Sequence, residues 1–327
     1  MGNKKIALSA STMKGLSDCS WLHWCKKHLM LPEKNNDGAR RGSICHAVLE
    51  YLQHDKHSDN HGRIMDADSV EGDEATLRLV KRHFEIADMD DKSNKNLQLV
   101  KDMIMIGLNH DFFCLEDDGK LGHAEQEFLI ESSDPEYLIR GYIDKHAFYD
   151  NGDTIKIIDY KTSKKRFKKN ELDGNPQAMM YSLATKTLWP DVKKTIFNFL
   201  FLKPDLQDKP IQELEFTDEQ LRGFEYYVSG IYKLINNFTE KDAKANFARD
   251  TKKNAWLCGA GPTWVCPQRD PYDYYVLLDE ESKILSSSKD ESELVAKKGQ
   301  TIEKRSYEGC PRWHNSETSE QDDVFGF

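Results

Sequence analysis

Gly141-Tyr-Ile-Asp144 and, a short connection later, Ile157-Ile-Asp159-Tyr-Lys161-Thr162 are the stretches that decide how this chain is read. Side chains alternate along a strand, so Asp159 and Lys161, two apart on an isoleucine-rich strand, share one face. Asp144 ends a neighbouring strand, and Asn151-Gly152 between the two marks a hairpin. Two carboxylates beside a lysine suit phosphodiester hydrolysis. Carboxylate oxygens are hard ligands for Mg2+ or Mn2+, and a divalent ion polarises the phosphoryl oxygen and activates water. The lysine positions that water or offsets charge growing on the phosphate. A bare Asp-x-Lys on a strand is more often a solvated edge with a weak ion pair. It is the apolar strand before it, and the Gly-x-x-Asp strand before that, which point to chemistry. As a strand-end carboxylate, Asp159 is expected outside the core.

Around this centre the pattern reads as helices, three strands, a helix, two strands and a helix. Residues 9–31 look helical and stop at Pro32. Helices are also expected over about 41–53, 73–88 and 94–113, with residues 54–72 as a loop. Residues 123–130, 137–148 and 154–161 read as strands of an antiparallel meander. Residues 175–188 read as a helix, and 195–202 and 211–216 as two further strands. Thr217, with Glu219 and Gln220 behind it, caps a long amphipathic helix to about Phe238. The fold class expected is α/β: a mixed central sheet flanked by helices, with a helical elaboration at its start. The expected divisions are a helical region (1–120), a core (121–245), an irregular cysteine-containing subdomain (246–313) and a disordered acidic tail (314–327).

The net charge of the 327-residue chain is −10, which runs against the basic balance expected of a nucleic-acid binder. The charge is uneven, however. Residues 161–169 read KTSKKRFKK, and Lys164, Lys165, Arg166, Lys168 and Lys169 form a phosphate-gripping candidate directly after the Asp-x-Lys strand. Phe167 within the run is a candidate for stacking on an unpaired base. No run of apolar residues is long enough to span a membrane, and the first residues lack the apolar stretch of a signal peptide. A cytoplasmic protein without membrane partners is therefore expected. The seven cysteines point to free thiols or metal ligands rather than disulfides.

These residues resemble the PD-(D/E)XK nuclease superfamily, specifically its RecB-like exonuclease branch, which includes phage recombination exonucleases and CRISPR-associated exonucleases. Four further features carry the resemblance. Gly42-Ser-Ile-Cys-His46 looks like the family's G-x-x-x-H helix, and Glu125 or Glu127 matches the acidic residue of its first strand. Asp159-Tyr-Lys-Thr-Ser163 is close to D-Y-K-T-G, with serine for glycine. Gln177-Ala-Met-Met-Tyr181 matches the Q-x-x-x-Y helix. The resemblance implies a restriction-endonuclease-like core. It also implies a metal held by His46, Glu125 (preferred over Glu127), Asp144, Asp159 and the Tyr160 carbonyl. Lys161 would assist the water, with Gln177 and Tyr181 supporting the lysine or contacting DNA. The activity implied is a metal-dependent DNA exonuclease in recombination, repair or phage DNA metabolism, working with recombination or replication proteins. The competing readings are a non-catalytic DNA-binding or structural partner that keeps the fold, and a structure-specific endonuclease or RNase. Retention of both aspartates and the lysine favours the enzyme.

Some RecB-like nucleases tie their ends together with an iron–sulfur cluster, one cysteine preceding the core and three following it. Cys19, Cys258, Cys266 and Cys310 have that distribution, and four thiolates suit either a cluster or zinc. The tight C-x2-C-x5-C spacing of the family is absent. Cys25, Cys45 and Cys114 read as core residues.

Overall fold

The computed structural model describes residues 5–33, 36–89, 95–115, 119–259 and 265–314. The chain divides into two compact units, Met1–Ala10 with Asn35–Lys233 and Ser11–Lys34 with Leu234–Phe327. The helices are α1 (Ala10–Asp18), α2 (Ser20–Lys27), α3 (Asp37–Gln53), α4 (Ser58–Asp66), α5 (Glu74–Ile86), α6 (Lys95–Leu108), α7 (Lys169–Leu172), α8 (Pro176–Leu188), α9 (Asp218–Asn236), α10 (Glu240–Ala243) and α11 (Pro311–His314). The strands are β1 (Lys120–Leu121), β2 (Gln126–Ser133), β3 (Glu136–Ile143), β4 (Lys145–Tyr149), β5 (Thr154–Lys161), β6 (Lys194–Phe201), β7 (Ile211–Leu214), β8 (Tyr272–Leu278), β9 (Ile284–Ser288) and β10 (Thr301–Tyr307).

In the first unit, a five-stranded sheet has the order β1-β4-β5-β6-β7. It is mixed, because β5 and β6 run parallel while the other pairs are antiparallel. The crossover between the parallel strands is α8, as parallel pairing requires. Residues Ile196–Phe201 of β6 are all buried, the signature of a central strand covered on both faces. On one face Tyr160, Leu200 and Leu202 pack with Ile44, Val48, Val100 and Ile104 from α3 and α6. On the other, Phe197 meets Tyr181 of α8 and Phe199 meets Phe167. The result is a mixed central sheet flanked by helices, the restriction-endonuclease-like architecture expected.

Two differences from the sequence reading shape the site. Residues 137–148 are not one strand. The chain bends at Asp144, so that β3 pairs with β2 in a separate hairpin while β4 joins the main sheet. Leu8 clamps the outer side of β3 through Leu8 N to Leu138 O and Arg140 N to Leu8 O, both 2.8 Å. Within 54–72, read as a loop, α4 forms although only Asn60 and Ile64 of it are buried. Its reason is tertiary and polar. Asn60 and Arg63 both donate to Asp73, at 2.8 and 2.7 Å, and Asp73 caps α5 by accepting from Thr76 N.

The second unit contains a three-stranded antiparallel sheet, β10-β8-β9, where little periodicity was expected. Alternate residues of β8 (Tyr274, Val276, Leu278) are buried. Trp21 of α2 donates to the Tyr307 hydroxyl at 3.0 Å, and that hydroxyl donates to the Gln268 carbonyl at 3.0 Å. Asn246 side-chain donation to Leu16 O fixes the end of α1. The acidic tail beyond His314 lies outside the described residues.

Candidate active site

Asp144 sits at the bend between the two sheets, one step beyond the last pair of the β4–β5 ladder, Lys145 with Ile158. Its Oδ2 takes over where the ladder stops, accepting from Tyr160 N at 2.9 Å. Opposite it across the β2–β3 hairpin is Glu125, whose backbone has φ 47° and whose N–H donates to Asp144 O at 3.2 Å. A non-glycine residue in the left-handed region is uncommon and costs about 1 kcal/mol or more, so the surrounding structure must hold it there. The acid at the preferred position, Glu125, thus faces Asp144, whereas Glu127 accepts from Tyr142 OH at 3.0 Å on the exposed face.

His46 arrives from α3. Its Nδ1 is 3.3 Å from Asp144 Oδ2 and its Nε2 is 3.0 Å from Tyr160 O. Gly42, one turn earlier, permits this approach, because a Cβ there would lie 2.9 Å from Thr162 Oγ1. His46, Glu125 and Asp144 each offer a ligand atom, all within 4.8 Å of one another. Burial opposes charge on the His46 ring, but Asp144, Asp159 and Glu125 outweigh it and lift its pKa to about 9. Burial, then Asp144 and Glu50, push the Glu125 carboxyl up to about 7 against the pull of His46. Glu50, not singled out from sequence, lies one helical turn beyond His46 on the same face of α3. The His-x3-Glu spacing could have revealed it.

Asp159 and Lys161 share one face of β5, as the alternation predicts, with Lys161 Nζ 2.6 Å from Asp159 Oδ2. Asp159 is 2% exposed, so it is a core residue, contrary to expectation. Burial drives its carboxyl up to about 6, Lys161 pulling the other way and Asp144 adding to the rise. Although the ammonium is close, Oδ2 accepts no well-directed hydrogen bond, and it is buried. Gln177 and Tyr181 reach this pair from α8. Asn175 caps that helix through Gln177 N and Ala178 N at 3.1 and 3.2 Å, a contribution of about 1 kcal/mol, and Pro176 follows it. Gln177 Nε2 then donates to Asp159 Oδ1 at 2.5 Å and Gln177 Oε1 accepts from Lys161 Nζ at 2.8 Å. Tyr181 OH is 3.4 Å from Gln177 Nε2, its ring packed edge-on to Phe128. Gly141 makes room, since a Cβ there would come within 2.6 Å of the Phe128 ring.

The donor set suits a divalent cation. Crowded acids whose pKa values are raised, Asp159 even with Lys161 beside it, mark a place where negative charge is under-compensated. Oxygen ligands with one imidazole fit Mn2+, or Mg2+ with a histidine partner.

The basic run divides in two. Lys164, Lys165, Lys168 and Lys169 are exposed. Arg166 departs from its expected role, because its guanidinium donates to Lys209 O and Leu206 O at 2.6 Å each and pairs with Asp208. Phe167 likewise packs on Phe199 and Phe201, at 4.7 and 5.9 Å between ring centroids, rather than standing free to stack on a base.

In the second unit, Cys19, Cys258, Cys266 and Cys310 line one cavity together with Trp21, Phe247 and Trp313. Burial, then the neighbouring cysteines, push the Cys310 thiol up to about 12 and the Cys266 thiol to about 11. Among the described residues these sulfurs do not form a group within 4.8 Å of one another, as a ready single-ion site would. Cys25, Cys45 and Cys114 are buried.

Residues 7–267 match the PD-(D/E)XK nuclease superfamily. No curated protein sequence matches the chain. Among solved structures, a candidate exonuclease from Eubacterium rectale is similar at 10% identity and a TM-score of 0.49, over 80% of this chain and 91% of that one.

Proposed function

This chain belongs to the PD-(D/E)XK nuclease superfamily, and on that premise we propose that it is a metal-dependent DNA exonuclease, hydrolysing phosphodiester bonds in recombination, repair or phage DNA metabolism. The observation that carries the reading is the convergence of His46, Glu125 and Asp144 beside the Asp159–Lys161–Gln177 hydrogen-bonded set. A chain that had kept the fold only as a scaffold would have no need of a buried carboxylate, a lysine held by two partners and a strained glutamate in one place.

His46, Glu125, Asp144, Asp159 and the Tyr160 carbonyl would hold Mg2+ or Mn2+. The ion, when bound, supplies Lewis-acid activation of the phosphoryl group and of water. The chain's own residues do the rest. Asp159 and Gln177 fix the Lys161 ammonium at the end of β5. From there it orients the attacking water and offsets the negative charge that grows on the phosphate. Tyr181 limits the swing of Gln177. The exposed Lys164, Lys165, Lys168 and Lys169 grip the DNA backbone through phosphate contacts.

The four cysteines of the second unit hold an iron–sulfur cluster in this reading. The support is the cavity that the four thiols share, with zinc as the alternative occupant of the same thiolates.

End-labelled linear DNA and covalently closed circular DNA, each incubated with Mn2+, test the exonuclease assignment. Release of nucleotides from linear DNA with circles left intact is expected. Nicked or linearised circles would favour the endonuclease reading, and degradation of RNA alone would replace the substrate.

A further inference from the structure

Gln212 lies on β7, an edge strand of the main sheet, directly opposite Phe199 of β6, and Phe199 is in turn paired with Asp159 of β5. Residues opposed across a ladder point to one face, so Gln212 stands on the face that carries Asp159 and Lys161. From there its amide reaches the loop that follows β5. Oε1 accepts from Phe167 N and Nε2 donates to Phe167 O, both at 3.0 Å. One side chain thus meets both backbone groups of one residue, as a neighbouring strand would.

Phe167 lies in the middle of the basic run, with Lys164 and Lys165 before it and Lys168 and Lys169 after it, all of them exposed. A segment of like charges repels itself and spreads unless something holds it. Arg166 supplies a second anchor, donating to Leu206 O and Lys209 O at 2.6 Å each. The turn it grips is itself fixed to β6. Gln207 Nε2 donates to Phe201 O and Lys203 O at 2.8 and 2.9 Å, and Phe201 N donates to Pro210 O at 2.8 Å. The register to the reacting centre passes through one ring, because the Phe199 centroid is 4.7 Å from that of Phe167 and 5.2 Å from Lys161 Nζ.

We propose that Gln212 is a positioning residue: with Arg166 it holds Lys164, Lys165, Lys168 and Lys169 in register with Lys161, so that the DNA they grip arrives aligned for cleavage. The proposal rests on the nuclease reading for its substrate, whereas the anchoring of the loop stands apart from it. Gln212 acts through the loop and not on the reacting atoms, so its loss is felt in binding rather than in chemistry. DNA that meets an ordered loop does not have to order it, and loosening the anchors returns that cost to the binding step.

Gln212→Met keeps the length of the side chain over Phe199 and removes both hydrogen bonds, and Arg166→Met loosens the second anchor. Each is compared with wild type in four measurements: cleavage of end-labelled linear DNA with Mn2+, DNA binding in EDTA, trypsin cutting within residues 164–169, and thermal melting. In Gln212→Met, KM should rise about tenfold with kcat unchanged, and affinity in EDTA should fall by the same factor. Trypsin should cut the loop faster than in wild type while the melting temperature barely moves. With Lys164, Lys165, Lys168 and Lys169 already replaced by Gln, adding Gln212→Met should weaken binding no further. An undiminished extra loss in that background would overturn the proposal, because the amide would then act other than through the lysines. So would a wild-type KM in a protein whose loop is freely cut, or a fall in kcat at unchanged KM. If Gln212→Met melts well below wild type, Arg166→Met decides: the same rise in KM there supports the anchored loop, and wild-type kinetics there overturn it. A wild-type protein that cleaves no nucleic acid, while Gln212→Met still opens the loop and weakens DNA binding, would overturn the nuclease reading and support the positioning role.

Discussion

Gln177 Oε1 accepts a hydrogen bond from Lys161 Nζ at 2.8 Å, which makes the α8 glutamine the partner that aims the lysine. The same amide donates to Asp159, so one side chain sets the spacing of two others. Gln177→Ala should lower turnover by roughly 10–100-fold, the usual cost of losing a supporting partner of an active group. KM should change little, because DNA is gripped elsewhere. Steady-state kinetics separate the two constants, and an unchanged kcat would mean that the amide is idle.

Gly42 and Thr162 are in similarly tight contact. A Cβ at 42 would lie 2.9 Å from Thr162 Oγ1, a group that can turn aside, so Gly42→Ala should be mild. Gly42→Val should push α3 off the end of β5 at a cost of about 1–3 kcal/mol. His46 would retreat with the helix, and Mn2+ affinity should fall further than stability. Calorimetric Mn2+ titration beside thermal melting checks this, and unchanged Mn2+ binding in Gly42→Val would separate the glycine from the site.

Anaerobically purified protein should contain iron and absorb visible light, and Cys310→Ser should lose both. Cys45→Ser, in the other unit and away from the thiol cavity, should keep them. Colourless protein carrying stoichiometric zinc would replace the cluster with a single ion. Protein carrying neither metal would leave four free thiols.

His23 is buried, and its Nε2 has no hydrogen-bond partner among the described residues. Burial, then His28, Lys27 and Lys26, push its pKa from 6.5 down to about 4. A depressed pKa means that the folded state prefers the neutral ring. The stabilisation is present above pH 6.5 and is lost as the pH falls towards 4, because the unfolded chain takes up the proton first. Melting temperatures at pH 7 and pH 5 should therefore differ more for wild type than for His23→Leu. An equal drop in both would assign the acid sensitivity to other groups.

Much of this was legible because the signals were local. Asp159 and Lys161 share a face by strand period alone, Asn175-Pro176 announces α8, and the Thr217–Gln220 capping box forms as read, with Thr217 N donating to Gln220 Oε1 at 2.8 Å. What escaped depends on distant partners. The break at Asp144 needs Tyr160 N to hold it, α4 needs Asp73, and Arg166 is taken by the Leu206–Lys209 turn, which no spacing near Arg166 reveals. The burial of Asp159 follows from the helix that covers it. The alternation of Tyr274, Val276 and Leu278 was available in the sequence, but lay amid the glycines, prolines and cysteines that draw attention to metal binding instead.

The central claim is that the carboxylate–lysine centre performs metal-dependent hydrolysis, and a single series of rates tests it. The wild type, Asp159→Asn and Lys161→Met are assayed on end-labelled DNA across a Mn2+ titration, with melting temperatures recorded for each. Hydrolysis should require the metal, and each variant should lose activity on the order of a thousandfold while the fold persists. Wild-type rates in either folded variant, or full hydrolysis in EDTA, would contradict the central claim.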